Sequence, residues 1–173
     1  MRQYGIVFIM GLVLAFIAFQ ARTGIFRRKN PGEPANKYMR QIMEATELSS
    51  ADAAILREQY GTAHQNPSGL RYLERRPGTG QPPARGAEVV VHYEGFLLDG
   101  TKFDSSRDRG QPYVFRVGTD AVIKGWDEAL LTMKKGEVRT LLIPHWLAYG
   151  NEGHGSIPAK ATLRFEVELL DIR

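Results

Sequence analysis

Val122-Ile-Lys-Gly-Trp-Asp-Glu-Ala-Leu-Leu-Thr-Met-Lys-Lys-Gly136 is the stretch whose reading decides the fold. Val122, Trp126, Leu130 and Met133 recur at helical spacing, so a short helix with one apolar face is predicted. Asp127 and Glu128 suit its positive N-terminal end and Lys134 and Lys135 its negative C-terminal end. Gly136 can take the left-handed conformation that stops a helix. A helix of a few turns is not stable alone in water, so something must bury its stripe. Apart from this segment, everything from Leu70 to Arg173 reads as strand or turn. The expected class is α+β: a curved antiparallel sheet of five to six strands wrapped around one short helix. Trp126 sits where helix meets sheet, and its indole either fills core or floors a concavity.

Working outward, Gly69–Arg75 alternates apolar and polar residues as a half-buried strand does, until the breakers at Pro77–Pro83. A strand over Val89–Gly95 follows, and Asp99-Gly100 is a two-residue hairpin signal leading to a return strand with Phe103 and Asp104. Pro112–Val117, Glu137–Ile143 and Ala161–Ile172 read as further strands, with a long Gly-containing loop over 144–160. Tyr93, Phe103, Tyr113, Phe115, Trp126, Tyr149 and Phe165 come from separate elements and exceed what so small a core needs. Some are therefore expected to line an apolar pocket, with Asp104 and Tyr149 as its polar groups.

The remaining two fifths of the chain have a different composition. Residues 1–30 hold Arg2, Arg22, Arg27, Arg28 and Lys29 and no acid, a net of +5 against +4 for the whole chain, which leaves −1 for the rest. The basic balance is thus a property of the N-terminal segment and gives no reason to expect a nucleic-acid partner. Tyr4–Phe19 is uncharged and almost wholly apolar, and with Gln20 and Ala21 it comes close to spanning a hydrocarbon core of about 30 Å. The large residues around the plausible cleavage points argue for an uncleaved anchor over residues 4–21 rather than a removed signal. Counting cations on either side of the span places the C-terminal domain in the cytoplasm. A short N-terminal tail before a folded domain favours export instead. The expectation adopted is a single-pass bacterial inner-membrane protein with its domain on the periplasmic side. Asn30–Pro34 is a breaker cluster, and Met39, Ile42 and Met43 suggest a short amphipathic helix. Ser49-Ser50-Ala51-Asp52 resembles a capping box opening a second helix that runs to Gly61. The layout is then an anchor over 1–29, a linker with short helices over 30–67, and a folded domain over 68–173.

That last region resembles an FKBP-type peptidyl-prolyl cis-trans isomerase domain, similar to bacterial membrane-associated or periplasmic members. The resemblance rests on Val-His-Tyr-Glu-Gly (91–95), Asp-Gly-Thr-Lys-Phe-Asp-Ser-Ser (99–106), Val-Ile-Lys-Gly-Trp (122–126), Ala-Tyr-Gly (148–150) and Ala-Thr-Leu-Arg-Phe-Glu-Val-Glu-Leu-Leu (161–170). It implies catalysis of X-Pro amide rotation with Tyr93, Asp104 and Tyr149 as the catalytic set. The substrate-binding set it implies is Phe103, Tyr113, Phe115, Val122, Ile123, Trp126, Ile157 and Phe165, with Trp126 as floor and Ile123 offering its backbone N–H. His154 and Ile157 would sit on the pocket rim. Proline-containing clients and a macrolide inhibitor are the implied partners. Two features depart from the family pattern: Ala121 replaces a polar residue, and the loop after Tyr149 is slightly short.

No cofactor is expected for amide rotation, which breaks no bond. Cysteine is absent, Ser105-Ser106 has no His or Asp partner at motif spacing, and His64, His92, His145 and His154 are scattered, so neither a hydrolase nor a metal site is read. The competing function is a non-catalytic chaperone that holds proline-containing segments in the same groove.

Overall fold

The computed structural model describes residues 37–173. Two helices come first, α1 (Lys37–Ala45) and α2 (Ser50–Tyr60), followed by β1 (His64–Gln65), β2 (Arg71–Arg76), β3 (Glu88–Leu97), β4 (Lys102–Ser105) and β5 (Tyr113–Arg116). Then come α3 (Lys124–Leu130), β6 (Val138–Ile143), a 3-10 turn (His145–Leu147) and β7 (Leu163–Ile172). The run 4–21, assigned above to a membrane anchor, lies outside the described residues. Among those, no helix is long and apolar enough to cross a membrane.

Seven strands form one antiparallel sheet in the order β1-β2-β6-β7-β3-β4, with β5 pairing β3 beyond β4. Its spine is the long β3–β7 ladder from Val89↔Ile172 to Leu97↔Leu163. On β7, Leu163, Phe165, Val167 and Leu169 are buried and alternate with more exposed neighbours, as a sheet with one covered face requires. Against that face α3 packs Trp126, Ala129 and Leu130, and Met133 follows just beyond it. Gly125 makes the close approach possible, since a Cβ there would run into Ile143 Cγ2.

Three expectations are corrected. The strand count is seven rather than five to six, because β1 has only two residues, too few for any periodic signal. The helix runs from Lys124 to Leu130 and stops well before Gly136. A buried pair ends it: Arg139 donates to the Glu137 carboxylate and also to Thr132 Oγ1 (2.8 Å) and Thr132 O (3.2 Å). Glu137 in turn accepts from the Lys134 N–H at 2.8 Å. These bonds hold residues 132–137 in a turn, so Lys134 and Lys135 are not in the helix. Gly136 (φ +82°) instead opens β6, donating to Leu169 O at 2.7 Å. The hairpin loop has three residues, Leu98–Gly100, closed by Leu97 N–H to Thr101 O at 2.8 Å, with Gly100 at φ +93°.

The second helix is capped as the sequence suggests, Ser49 Oγ accepting from the Asp52 N–H at 3.0 Å. It belongs to the same compact unit as the sheet, Ala45–Arg173. Leu56 is its buried contact, Asp52 accepts from the Thr162 N–H (3.2 Å), and Glu47 O lies 3.3 Å from His145 Nε2. In α1, Met39 and Ile42 are exposed.

Candidate functional site

One end of the concave face is left open between α3, the crossing strands and the loops. A cavity of about 300 Å³ lies there, lined by Tyr93, Phe103, Asp104, Tyr113, Ala121, Val122, Ile123, Trp126, Tyr149 and Phe165. The motif residues converge on it because each element contributes one or two inward positions: Tyr93 from β3, Phe103 and Asp104 from β4, Tyr113 from β5 and Phe165 from β7.

Trp126 forms the base of the aromatic cluster. Its ring meets Tyr93 edge-on (4.9 Å, 82°) and Phe165 edge-on (5.3 Å, 80°), and Phe165 meets Phe103 likewise (5.5 Å, 88°). Gly95 makes room for the Phe103–Phe165 pair, because a Cβ would stand 2.7 Å from the Phe103 ring and 2.8 Å from that of Phe165. The loop carrying Ala121–Ile123 is fixed by Asp127, whose carboxylate accepts from the N–H groups of Gly118 (2.7 Å) and Asp120 (2.9 Å). Glu128, expected only to complement the helix end, binds Asn66 Nδ2 (2.6 Å) and Ser68 Oγ (2.8 Å).

The polar side of the cavity is a three-residue network. Tyr93 donates its O–H to Asp104 Oδ2, Arg109 Nη1 donates to Asp104 Oδ1, and Arg109 Nη2 reaches the Tyr93 hydroxyl at 2.9 Å. A fourth donor, the Ser105 N–H, sits 2.8 Å from Asp104 Oδ1. Burial works against the Asp104 charge, but the bonds from Tyr93 and Arg109 outweigh it and hold this carboxyl below its ordinary value. Tyr93 is pushed up, first by burial and then by its bond to Asp104, so it stays a neutral donor. Arg109 rather than Arg107 is the cation here, since Arg107 pairs with Glu168 at 2.5 Å. Across the cavity, burial raises the Tyr149 hydroxyl, with the Asp104 charge adding to it. Neither the Tyr149 hydroxyl nor the Ile123 N–H has a hydrogen-bond partner among the described residues.

Two of the expected substrate contacts stand behind the wall. Phe115 is buried, stacked on Tyr113 (5.3 Å, 26°) and tilted against Trp126 (5.9 Å). Ile157 is buried too, its N–H donating to His154 O at 2.8 Å, so it shapes the loop instead of the cavity surface. His154 is placed by the same turn and stacks on Tyr149 (5.1 Å, 13°). Sequence reading missed Ala121 as a lining residue and Arg109 as the settled partner of Asp104. The small side chain at 121 was visible, but its proximity to the pocket depends on the Asp127 tether.

The arrangement can bind an apolar group of proline size and present donors to carbonyls on either side. It holds no accessible nucleophile. Ser106 does have His92 as a neighbour (Nδ1 to Oγ, 2.9 Å), yet it is fully buried and its oxygen accepts the Tyr93 N–H at 2.8 Å. That pair ties two strands together. Among the described residues, no three His, Asp or Glu side chains gather as metal ligands.

Residues 79–170 match the family model for the FKBP-type peptidyl-prolyl cis-trans isomerase. Over 84 residues, 49% of this chain and 62% of its relative, the chain is 60% identical to FK506-binding protein 2 of Debaryomyces hansenii. It is 50% identical over 105 residues to the FK506-binding protein of Neisseria meningitidis serogroup B, covering 60% of this chain and 96% of that one. In three dimensions it is similar to FkpA from Escherichia coli, with a TM-score of 0.66 and 36% identity over 94% of this chain and 71% of that structure. An aromatic cavity floored by a helical tryptophan, with a tyrosine-held carboxylate and no nucleophile, together with a family match over more than half of its length, makes this chain a member of the FKBP-type peptidyl-prolyl cis-trans isomerases.

Proposed function

We propose that the isomerase reaction of this chain takes place in the cavity floored by Trp126, with a substrate proline ring against the indole. The single observation that carries this is the lining itself: rings on most sides, one ionised carboxylate, and the donors Tyr149 O–H, Ile123 N–H and Trp126 Nε1–H, uncommitted among the described residues. Rotating an X-Pro amide costs about 20 kcal/mol because the planar bond loses resonance. The half-rotated amide has a less polar carbonyl and a more pyramidal nitrogen, so a dry aromatic site disfavours the planar state relative to it. Tyr149 O–H and Ile123 N–H would hold the flanking carbonyls and confine rotation to one bond. Asp104, kept ionised and fixed by Tyr93 and Arg109, acts electrostatically on the rotating amide. Phe103, Tyr113, Val122 and Phe165 complete the wall for the proline and its preceding side chain, while Phe115 and Ile157 support it from behind.

Turnover of a chromogenic proline tetrapeptide tests the reading against a chaperone that only holds its client. Catalysis that a macrolide titrates away supports it, and the names of the two FK506-binding relatives are the reason to choose a macrolide. Suppression of aggregation of a proline-free protein without any turnover of the peptide would favour the holding role.

Residues 4–21 serve, in the same reading, as a single-pass anchor in a bacterial inner membrane, with the compact unit in the periplasm; that unit begins at Ala45 rather than at 68, because α2 and β1 belong to it. The support is the charge-free run and the similarity to proteins of two bacteria. Full-length protein should sediment with membranes and resist high salt, whereas a chain beginning at Pro31 should remain soluble and active. Recovery of full-length protein free of membrane would reject the anchor, and a C-terminal reporter active only in the cytoplasm would reject the periplasmic placement.

A further inference from the structure

Strand β5 ends the sheet beyond β3, and its outer side is unpaired among the described residues. Two independent pairs of bonds show which of its backbone groups face outward. Val117 donates to Ala87 O (3.0 Å) and accepts from Gly86 N–H (2.7 Å), so its polar groups point toward β3. Glu88 exchanges bonds with Arg173 on the β7 side (3.0 and 2.8 Å), so the next residue of β3, Val89, faces β5 and its partner Phe115. Both observations give the same alternation: Tyr113, Phe115 and Val117 bond inward, while Val114 and Arg116 present N–H and C=O to solvent. The Arg116 carbonyl already accepts from Thr119 Oγ1 at 2.8 Å, which leaves the two groups of Val114 and the Arg116 N–H open.

This edge is unusual in its side chains as well. Within the unit Ala45–Arg173, the exposed large apolar residues are Tyr113 (39%) and Val114 (44%), adjacent on this strand. No bulge, proline or inward charge blunts β5 itself, although an open apolar edge ordinarily invites pairing with another chain. A second cleft of about 340 Å³ lies against it, lined by Arg109, Gln111, Pro112, Tyr113 and Val114. Tyr113 lines both cavities, and Arg109 is held by Tyr93 and Asp104 of the first. The cleft and the edge therefore continue the site already described.

We propose that the outer edge of β5 is a second subsite, which takes the stretch of client polypeptide flanking the proline and adds it to the sheet as an extra strand. The proposal rests on the reading of the main cavity as the isomerisation site. The occupant follows from continuity: a chain whose proline lies over Trp126 and whose next residues pass Tyr113 arrives at the open groups of Val114. Backbone pairing makes the subsite tolerant of sequence, and a β-branched or aromatic residue opposite Val114 gains a cross-strand contact.

The test compares the full-length protein on a proline tetrapeptide and on a ten-residue peptide with the same X-Pro centre. A net hydrogen bond is worth about a fivefold factor, so two to three of them raise kcat/KM on the longer peptide by roughly 10-fold or more, mainly through KM. Replacing single amides of the long peptide by esters should remove about fivefold at the one residue whose N–H meets the Val114 carbonyl and have smaller effects at the other positions. Val114→Pro deletes only an unbonded edge donor, so it should keep wild-type turnover of the tetrapeptide and lose the advantage of length. Should that variant not fold, the ester series on the wild-type protein decides alone. Equal kcat/KM for the two peptides, ester effects with no single dominant position, or a folded Val114→Pro that retains the length advantage would each overturn the subsite. Turnover of neither peptide would overturn the reading of the main cavity and the subsite with it.

Discussion

Replacing Asp104 by alanine separates what its network does for stability from what it does for catalysis. The Asp104 side chain is 39% exposed, so its ion pair with Arg109 is screened and is worth the surface figure of about 0–1 kcal/mol. The buried Tyr93 hydroxyl loses its acceptor while keeping the bond from Arg109 at 2.9 Å, and an unsatisfied donor costs about 1–3 kcal/mol. Together these give about 2 kcal/mol, well inside the roughly 5–15 kcal/mol of a typical domain, so the variant should still fold. Its effect on the reaction should be larger. A charge-assisted bond is worth about 1.5–3 kcal/mol, and each 1.36 kcal/mol is about tenfold in rate, so kcat/KM should fall about 10- to 100-fold. Asp104→Asn sharpens the comparison, because the amide oxygen still accepts from Tyr93 while the charge is gone. It should melt nearer to wild type than the alanine variant and still lose about tenfold in kcat/KM. Isomerisation of a chromogenic proline peptide, measured with thermal unfolding, decides the matter. Full activity in both variants would refute any catalytic part for the carboxylate, and a loss tracking unfolding would reduce Asp104 to a structural role.

Three further outcomes are expected. Gly125→Ala gains about 1 kcal/mol of helix propensity but forces a Cβ against the fully buried Ile143, at about 1–3 kcal/mol; chemical denaturation should show net destabilisation, smaller in an Ile143→Ala background that lacks the Cγ2 methyl. Trp126→Ala should cost about 3–5 kcal/mol, whereas Trp126→Leu should fold and bind an apolar macrolide more weakly in a calorimetric titration. Activity should be level from about pH 5 to pH 9, because Asp104 titrates below its ordinary 3.8 and Tyr93 and Tyr149 above their ordinary 10.0. By the same signs, the stability contributed by Asp104 is present above about pH 4 and lost as pH falls through its lowered value, and that of Tyr93 is lost as pH rises through its raised one. A pH–rate profile with a break near neutrality would contradict this assignment of the titrating groups.

Legibility in the sequence followed the range of each interaction. Trp126 was legible on the inner face of a helix because helical spacing is local, whereas Phe103 and Asp104 are adjacent on β4 and both line the cavity, which alternation alone does not give. The end of α3 was not legible, since Thr132 is claimed by Arg139 across a turn whose closing partner, Glu137, is buried only in the finished fold. Depth was equally hidden. Tyr113 and Phe115 share one face of β5, but one borders the cavity and the other lies behind it, which depends on where Trp126 stands. Spacing alone does not separate Arg107 from Arg109 as the partner of Asp104; the fold does, because β7 brings Glu168 beside the first. β1 has no periodicity to read, and it exists because β2 offers it an edge.

The central claim, that X-Pro rotation occurs over Trp126 between Asp104 and Tyr149, is tested most directly by nuclear magnetic resonance exchange on a proline tetrapeptide with the isotope-labelled protein. Catalysed cis–trans exchange should appear with peptide-induced shifts at the Trp126 indole and the Ile123 amide, and both should vanish together when a macrolide fills the cavity. Exchange that persists with the cavity filled, or shifts that map elsewhere on the sheet, would contradict the account.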